Sequence, residues 1–301
     1  MHEDLVIAAT EAYLGEFEGA DAARLEFMAG LWVIQREVAA TVEPYEPPTA
    51  EQAREALVRG ETIFQVHEPS ISLANFLAAL DRVIGYVAKS AGLAEEQVTA
   101  LREADFSAAV TDEALTTAAT APESLVAAVA DTLGVTTESA LTFPTLSFVV
   151  YSALVPLLIG PSARALEALG EFDRAAWSSG RCPVCGASAS MGRLGESTAL
   201  QGADRALWCG MCHAEWVYDR IRCVRCGTRN PESLKYRHIE GDEAHRIHLC
   251  GECHGYTRFV FVNDLKKPLS MQVEDVVSTP LDGLALREGY TATGDGGKTA
   301  C

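Results

Sequence analysis

The sequence predicts an α plus small β protein: an α-helical N-terminal domain followed by tandem four-cysteine modules of zinc-ribbon or rubredoxin-like type. Residues 1–175 carry apolar side chains at helical spacing between alanine-rich, acidic faces. Eight of the nine cysteines form four Cys-x-x-Cys pairs, Cys182/Cys185, Cys209/Cys212, Cys223/Cys226 and Cys250/Cys253. The first four cysteine positions recur in the last four at a fixed offset of 41 residues, which is a tandem repeat. The expected units are residues 1–175, a first metal module over 176–221, a second over 222–267, and a C-terminal helix and tail over 268–301.

In chain order, Asp21 can cap a helix carrying Leu25, Met28, Leu31, Trp32 and Val38, ended by Pro44, Pro47 and Pro48. Thr49 with Gln52 makes a capping box for a short helix that stops near Gly60. Leu73, Phe76, Leu77, Leu80, Ile84 and Val87 form one apolar stripe after Ser72, with Gly92 as the C-terminal cap. Helices are expected next over 94–104, 108–119 and 124–133. No charge occurs between Glu138 and Arg164, and 148–159 is strongly apolar. A membrane span needs roughly 18 or more continuous apolar residues, and Pro144, Pro156 and interspersed Ser and Thr interrupt this run. It therefore reads as a buried central helix without membrane insertion, followed by another helix over 162–169 and a boundary over 172–180.

Within the modules, the excursions 194–208 and 235–249 suit hairpins, and 216–218 and 256–262 suit strands packed on the metal sites. A helix is expected over 276–287, ending at Gly289 and Tyr290. Cys301 stands apart as a free thiol without a role.

A thiolate pair two residues apart can turn both sulfurs to one ion, and two such knuckles complete a tetrahedral shell. The economical assignment is one ion on Cys182, Cys185, Cys209 and Cys212 and a second on Cys223, Cys226, Cys250 and Cys253. A cross-braced pairing, first pair with third and second with fourth, stays open. Zinc and iron both fit four sulfurs, giving two metal ions per chain. The repeat also contains Gly186, Gly210, Gly227 and Gly251, expected to supply the positive φ of the knuckles, and His213 and His254, expected to donate N–H to thiolates. The Cys-x-x-Cys-His stretches match a c-type haem signature, but that reading leaves the other two pairs unexplained. A thioredoxin-like dithiol needs a single pair in a βαβ context, and hydrolytic and nucleotide-binding signatures are missing. Four sulfurs per ion leave no open position for substrate, so no enzyme is expected.

The net charge of −18 is uneven: residues 1–180 carry 27 acids against 9 Lys and Arg, whereas 181–267 carry 10 against 13. Eight thiolates and two divalent ions would turn the module's excess of positive charge slightly negative, so a phosphate-binding footprint is not evident. The alternative class is a nucleic-acid-binding zinc ribbon using Arg220, Arg222, Arg225, Arg229, Lys235 and Arg237. The acidic start and the short apolar run from Leu5 to Ala9 lack the pattern of a secretory signal, so a cytoplasmic location with reduced thiols is expected.

The stretches Arg181-Cys182-Pro183-Val184-Cys185-Gly186, Leu207-Trp208-Cys209-Gly210-Met211-Cys212-His213-Ala214-Glu215-Trp216, Arg220-Ile221-Arg222-Cys223-Val224-Arg225-Cys226-Gly227 and Cys250-Gly251-Glu252-Cys253-His254-Gly255-Tyr256 resemble the formate dehydrogenase accessory protein family, FdhE. The resemblance extends through Val273-Glu274-Asp275-Val276, Leu281-Asp282 and Glu288-Gly289-Tyr290. It implies a cytoplasmic, non-enzymatic assembly factor that binds the catalytic subunit of a molybdenum- or tungsten-dependent formate dehydrogenase, with iron possible at the four-cysteine sites. Trp216 and Tyr256 are then candidates for exposed aromatics that contact this partner, although for each taken singly ordinary packing over a metal knuckle is the favoured reading.

Overall fold

A computed structural model of the protein describes residues 2–170, 177–195 and 205–294. Cys301 and much of the expected 172–180 boundary lie outside the described residues. The helical half starts with α1 (His2–Leu14), which the sequence reading missed because its apolar run is short. The long α2 (Gly19–Ala39) buries Leu25, Leu31, Trp32 and Val38, as their spacing predicts. Thr49 and Gln52 close their reciprocal box on α3 (Ala50–Val58). A second such box, Thr62 with Gln65, starts the single turn α4 (Ile63–Val66). Ser72 caps α5 (Leu73–Ser90), which buries Phe76, Leu80, Ile84 and Val87. Gly92 takes φ +64 after it.

After α6 (Glu95–Glu103), the expected helix over 108–119 is two pieces, α7 (Phe106–Ala109) and α8 (Asp112–Ala118). Val110 is extended, and the Thr111 side chain caps a new start by accepting from the Ala114 N–H. Next comes α9 (Pro122–Thr132), with proline in its first turn, where its missing N–H costs nothing.

The apolar stretch forms one continuous helix, α10 (Phe143–Leu169), where two were expected. A proline at 156 removes the N–H that would serve the Ser152 carbonyl. The buried Gln35 of α2 fills that vacancy, its Nε2 donating to Ser152 O at 2.9 Å. Among the described residues α10 is the one helix long and apolar enough to cross a membrane. Here α2, α3, α5 and α9 pack around it, and Leu146, Val149, Val150, Leu154 and Leu158 are fully enclosed in the main core.

The cysteine half is one six-stranded sheet. It contains β1 (Met191–Leu194), β2 (Arg205–Trp208), β3 (Glu215–Val217), β4 (Leu234–Arg237), β5 (His245–Cys250) and β6 (Tyr256–Phe261), in the order β3-β2-β1-β6-β5-β4. Each repeat supplies an antiparallel three-stranded ribbon, as the hairpin reading expects. The join was not foreseen: β1 and β6 pair in parallel, so the two ribbons share one sheet. Gly192 in β1 permits it, because a Cβ there would come 2.3 Å from the Phe259 ring and 2.7 Å from the Ala206 carbonyl.

Instead of one helix over 276–287, the chain forms α11 (Met271–Val277) and α12 (Pro280–Arg287), parted at Ser278-Thr279-Pro280. Helix α11 returns to the N-terminus, packing Val273, Val276 and Val277 against Ala9, Tyr13, Leu25 and Trp32. A polar network lies beneath this contact. Tyr13 Oη donates to Glu274 Oε2 at 2.8 Å, and His245 bridges Glu274 Oε2 at 2.6 Å and Asp242 Oδ2 at 2.8 Å. Lys267 pairs with Glu16 nearby and lies over the Tyr13 ring. Burial opposes charge on His245, but hydrogen bonds to and charges on Asp242 and Glu274 outweigh it and raise its pKa to about 9.

A pKa raised above the unfolded value contributes stability that is complete below the unfolded pKa and lost as pH rises through the folded one. Between about pH 6.5 and 9 the protein should lose about 3 kcal/mol through His245. Tyr13, raised by burial and by Glu274, works in the same direction above its ordinary pKa. The lowered Asp242, whose contribution is lost only toward acid, does not. Urea unfolding of the wild type and Glu274→Gln at neutral and alkaline pH checks this; equal alkaline slopes in the two chains would contradict it.

Candidate metal centres

All four knuckles close by one backbone pattern. The residue after the second cysteine donates N–H to the carbonyl of the first: Gly186 to Cys182 at 3.0 Å, His213 to Cys209 at 2.8 Å, Gly227 to Cys223 at 3.1 Å and His254 to Cys250 at 2.9 Å. That residue is left-handed each time, with φ of 77, 61, 76 and 54° respectively. Glycine accepts this at little steric cost, whereas histidine is strained there. The expectation for the repeat glycines thus holds at Gly186 and Gly227 only. Gly210 and Gly251 serve other ends: their N–H groups donate to Ser190 Oγ at 2.9 Å and Ser233 O at 2.7 Å, and a Cβ on Gly210 would lie 2.7 Å from that hydroxyl oxygen. The rings of His213 and His254 lie against Trp208 and Tyr290, at centroid distances of 5.2 and 5.6 Å.

The turns bring the sulfurs together as the economical pairing has it and not in the cross-braced way. Cys182, Cys185, Cys209 and Cys212 form one cluster, Cys223, Cys226, Cys250 and Cys253 the other, with all sulfurs of a cluster within 4.8 Å of one another. Cys182 Sγ lies 3.5 Å from Cys212 Sγ and Cys185 Sγ 3.6 Å from Cys209 Sγ. In the second cluster, Cys223 to Cys253 and Cys226 to Cys250 are both 3.8 Å. Four sulfurs at metal–sulfur bonds of about 2.3 Å stand about 3.8 Å apart along the tetrahedron edge, whereas a disulfide would need about 2.05 Å. The clusters therefore have the dimensions of closed tetrahedral sites. The first turn of each unit also aims an N–H at sulfur, Val184 to Cys182 at 3.4 Å and Arg225 to Cys223 at 3.3 Å.

Cluster surroundings differ sharply. Every cysteine of the first is buried, within the same core as the helices. The backbone of α4 clasps its knuckle, Ile63 N–H donating to Pro183 O at 2.9 Å and Phe64 N–H to Val184 O at 3.0 Å. Burial opposes the Cys212 thiolate, yet hydrogen bonds from Cys182, Cys185, Cys209 and Ser162 of α10 hold its pKa well below the ordinary thiol value. The Ser162 hydroxyl is buried without another hydrogen-bond partner, which leaves it available as a donor to a metal-bound thiolate. In the second cluster Cys226 is exposed and Cys253 half-buried.

Trp216 and Tyr256 are buried packing residues, as the ordinary reading of an aromatic over a metal knuckle has it, and neither is an exposed contact for a partner. Trp216 Nε1 donates to Ser179 O at 3.2 Å, and Tyr256 packs with Ile247, Leu249 and Leu281. The aromatics that line a cleft, about 590 Å³ between the helices and the first module, are Trp32, Phe148, Tyr151 and Trp208. Much of the basic stripe is folded back on the protein. Arg222 Nε donates to Gly227 O, Arg225 Nε to Tyr256 O, Arg229 pairs with Asp219, and Arg237 lies 3.6 Å from Glu288.

No protein-family model matches the chain. A relative from Aquifex aeolicus described as Protein FdhE homolog is 31% identical over 147 residues, 48% of this chain and 49% of the relative. A Shewanella oneidensis protein of the same description is 34% identical over 113 residues, 37% of this chain and 36% of the relative. The matched stretch thus spans about half or less of these relatives. The crystal structure of the FdhE protein from Pseudomonas aeruginosa superposes with a TM-score of 0.58 at 18% identity, covering 96% of this chain and 91% of that one. At that identity the likeness concerns the fold. Sequence kinship and shared fold bear out the resemblance to the FdhE family read from the cysteine motifs.

Proposed function

From this kinship with FdhE proteins, we propose that the protein is a cytoplasmic, non-catalytic accessory factor that binds the catalytic subunit of a formate dehydrogenase and supports its maturation. The observation that carries the reading is the pair of preassembled four-sulfur clusters within a fold shared with FdhE. Each cluster takes one zinc or iron ion, on Cys182, Cys185, Cys209 and Cys212 and on Cys223, Cys226, Cys250 and Cys253. Four thiolates saturate a tetrahedral ion, which leaves no position for a substrate or an attacking water. The ions therefore hold the protein's shape, and the shaped surface meets the partner. Local pairing of Arg222, Arg225, Arg229 and Arg237 supports a protein partner over a nucleic acid, since a phosphate footprint needs free cations.

Deletion of the gene should abolish or strongly reduce formate oxidation in cells grown on formate. The tagged protein, purified without air, should retain a formate dehydrogenase catalytic subunit and about two metal ions per chain. Normal formate oxidation in the deletion strain, with no dehydrogenase subunit retained, would remove this reading.

A further inference from the structure

The repeat makes the two clusters look equivalent, but their surroundings do not. The first cluster is sealed: its cysteines are at most 1% exposed, and a Cβ on Gly186 beside it would meet the Thr120 carbonyl at 2.7 Å. Reaching its ion means parting helices from module. The second cluster is closed on one side only. Cys223 and Cys250 are buried, and the knuckle around Cys223 is gripped by arginines from three positions. Arg225 lies within it, Arg222 ties its Gly227 carbonyl, and the fully buried Arg205 holds the Arg222 carbonyl at 2.8 Å, one residue before Cys223. At the matching position in the first knuckle, Arg225 is replaced by the buried Val184. On the other side Cys226 is exposed and Cys253 half-buried.

Resting on the metal-site reading above, we infer that the second cluster is an exchangeable metal position, open to an external thiolate-bearing ligand through Cys226 and Cys253, whereas the first is a sealed structural site. Exchange there is a ligand substitution without redox change. An incoming thiol forms a metal–sulfur bond as the bond to Cys226 breaks, and its proton passes to the released Cys226 thiolate; a second thiol replaces Cys253 in the same way. Cys223 and Cys250 hold the ion meanwhile, and the arginines keep the turn that carries Cys223 in place. The ligand class is a borderline-soft divalent cation such as zinc or ferrous iron, delivered or withdrawn by a dithiol.

The test is metal release from the full-length, zinc-loaded chain challenged with a dithiol and a chromophoric zinc chelator, with iodoacetamide alkylation mapped by mass spectrometry. The ion of the second cluster should leave quickly and that of the first roughly 100-fold more slowly or not at all, because release from the sealed first cluster needs sub-global opening. Alkylation after the fast phase should mark Cys226 and Cys253 and spare Cys182, Cys185, Cys209 and Cys212. Release of both ions in one phase, or early alkylation of the first four cysteines, overturns the inference while leaving the metal sites intact. A chain that takes up no stoichiometric zinc overturns the metal reading itself, and the inference with it.

Discussion

Replacing Cys182 and Cys185 together by serine should unfold the helical half along with the first module. Cys182 and Cys185 belong to the same buried cluster as Phe64, Leu80, Leu115, Val150 and Leu158, and the knuckle between them accepts the Ile63 and Phe64 N–H groups. A structural zinc site contributes about 10–16 kcal/mol of apparent binding free energy. A whole domain is stable by only about 5–15 kcal/mol, so losing the first ion removes as much as the fold possesses. Two buried serine hydroxyls and two unpartnered thiols would add to the deficit. The expected result is loss of most helical circular dichroism at 25 °C and recovery of the chain as aggregate. The matched change Cys226→Ser, at an exposed ligand of the open cluster, should leave the helical signal largely intact. A double variant that keeps wild-type helicity and thermal midpoint would show that the first cluster does not sustain the core.

The common core marks the limit of what the sequence makes legible. Local signals were sufficient wherever an element is decided by its own residues. The Thr49–Gln52 box, the stripe from Phe76 to Val87 and the cysteine offset led to α3, α5 and the two sulfur clusters. Where a distant partner decides, the pattern misleads. Pro156 reads as an interruption until Gln35, far away in the chain, supplies the missing donor to Ser152 O. The exposure of an aromatic such as Trp216 depends on Ser179 and the helices behind it. The parallel join of β1 and β6 has no local signature, and only the oddity of a strand glycine, Gly192, hints at a close approach. Unequal burial of the clusters is likewise invisible to a repeat that presents both with the same spacing.

Arg205 presents the second large effect. It is 1% exposed in β2, and its guanidinium gathers the stretch that connects the two repeats. Nη1 donates to the carbonyls of Asp219 at 3.0 Å, Arg220 at 3.2 Å and Arg222 at 2.8 Å. Nη2 lies 3.2 Å from His248 Nδ1. Burial and the Arg205 charge push the His248 pKa down to about 3, so its ring stays neutral and accepts from the arginine. The guanidinium also lies over the Phe259 ring at 4.4 Å. One side chain thus binds β2, the connection, β5 and β6. Arg205→Ala would leave three carbonyls and a histidine nitrogen without their donor, and hydrogen bonds to a charged group are worth about 1.5–3 kcal/mol each before the connection relaxes toward water. A loss of about 3–5 kcal/mol is expected in denaturant unfolding at fixed metal concentration. Arg205→Lys should recover only part of it, because an ammonium lacks the planar fork that spans several carbonyls and the flat face that stacks on Phe259. Since Arg222 O stands one residue before Cys223, the alanine variant should also release its faster-exchanging metal ion sooner than the wild type. A stability change below about 1 kcal/mol, the size of an ordinary surface substitution, would mean that the shared sheet alone aligns the two repeats.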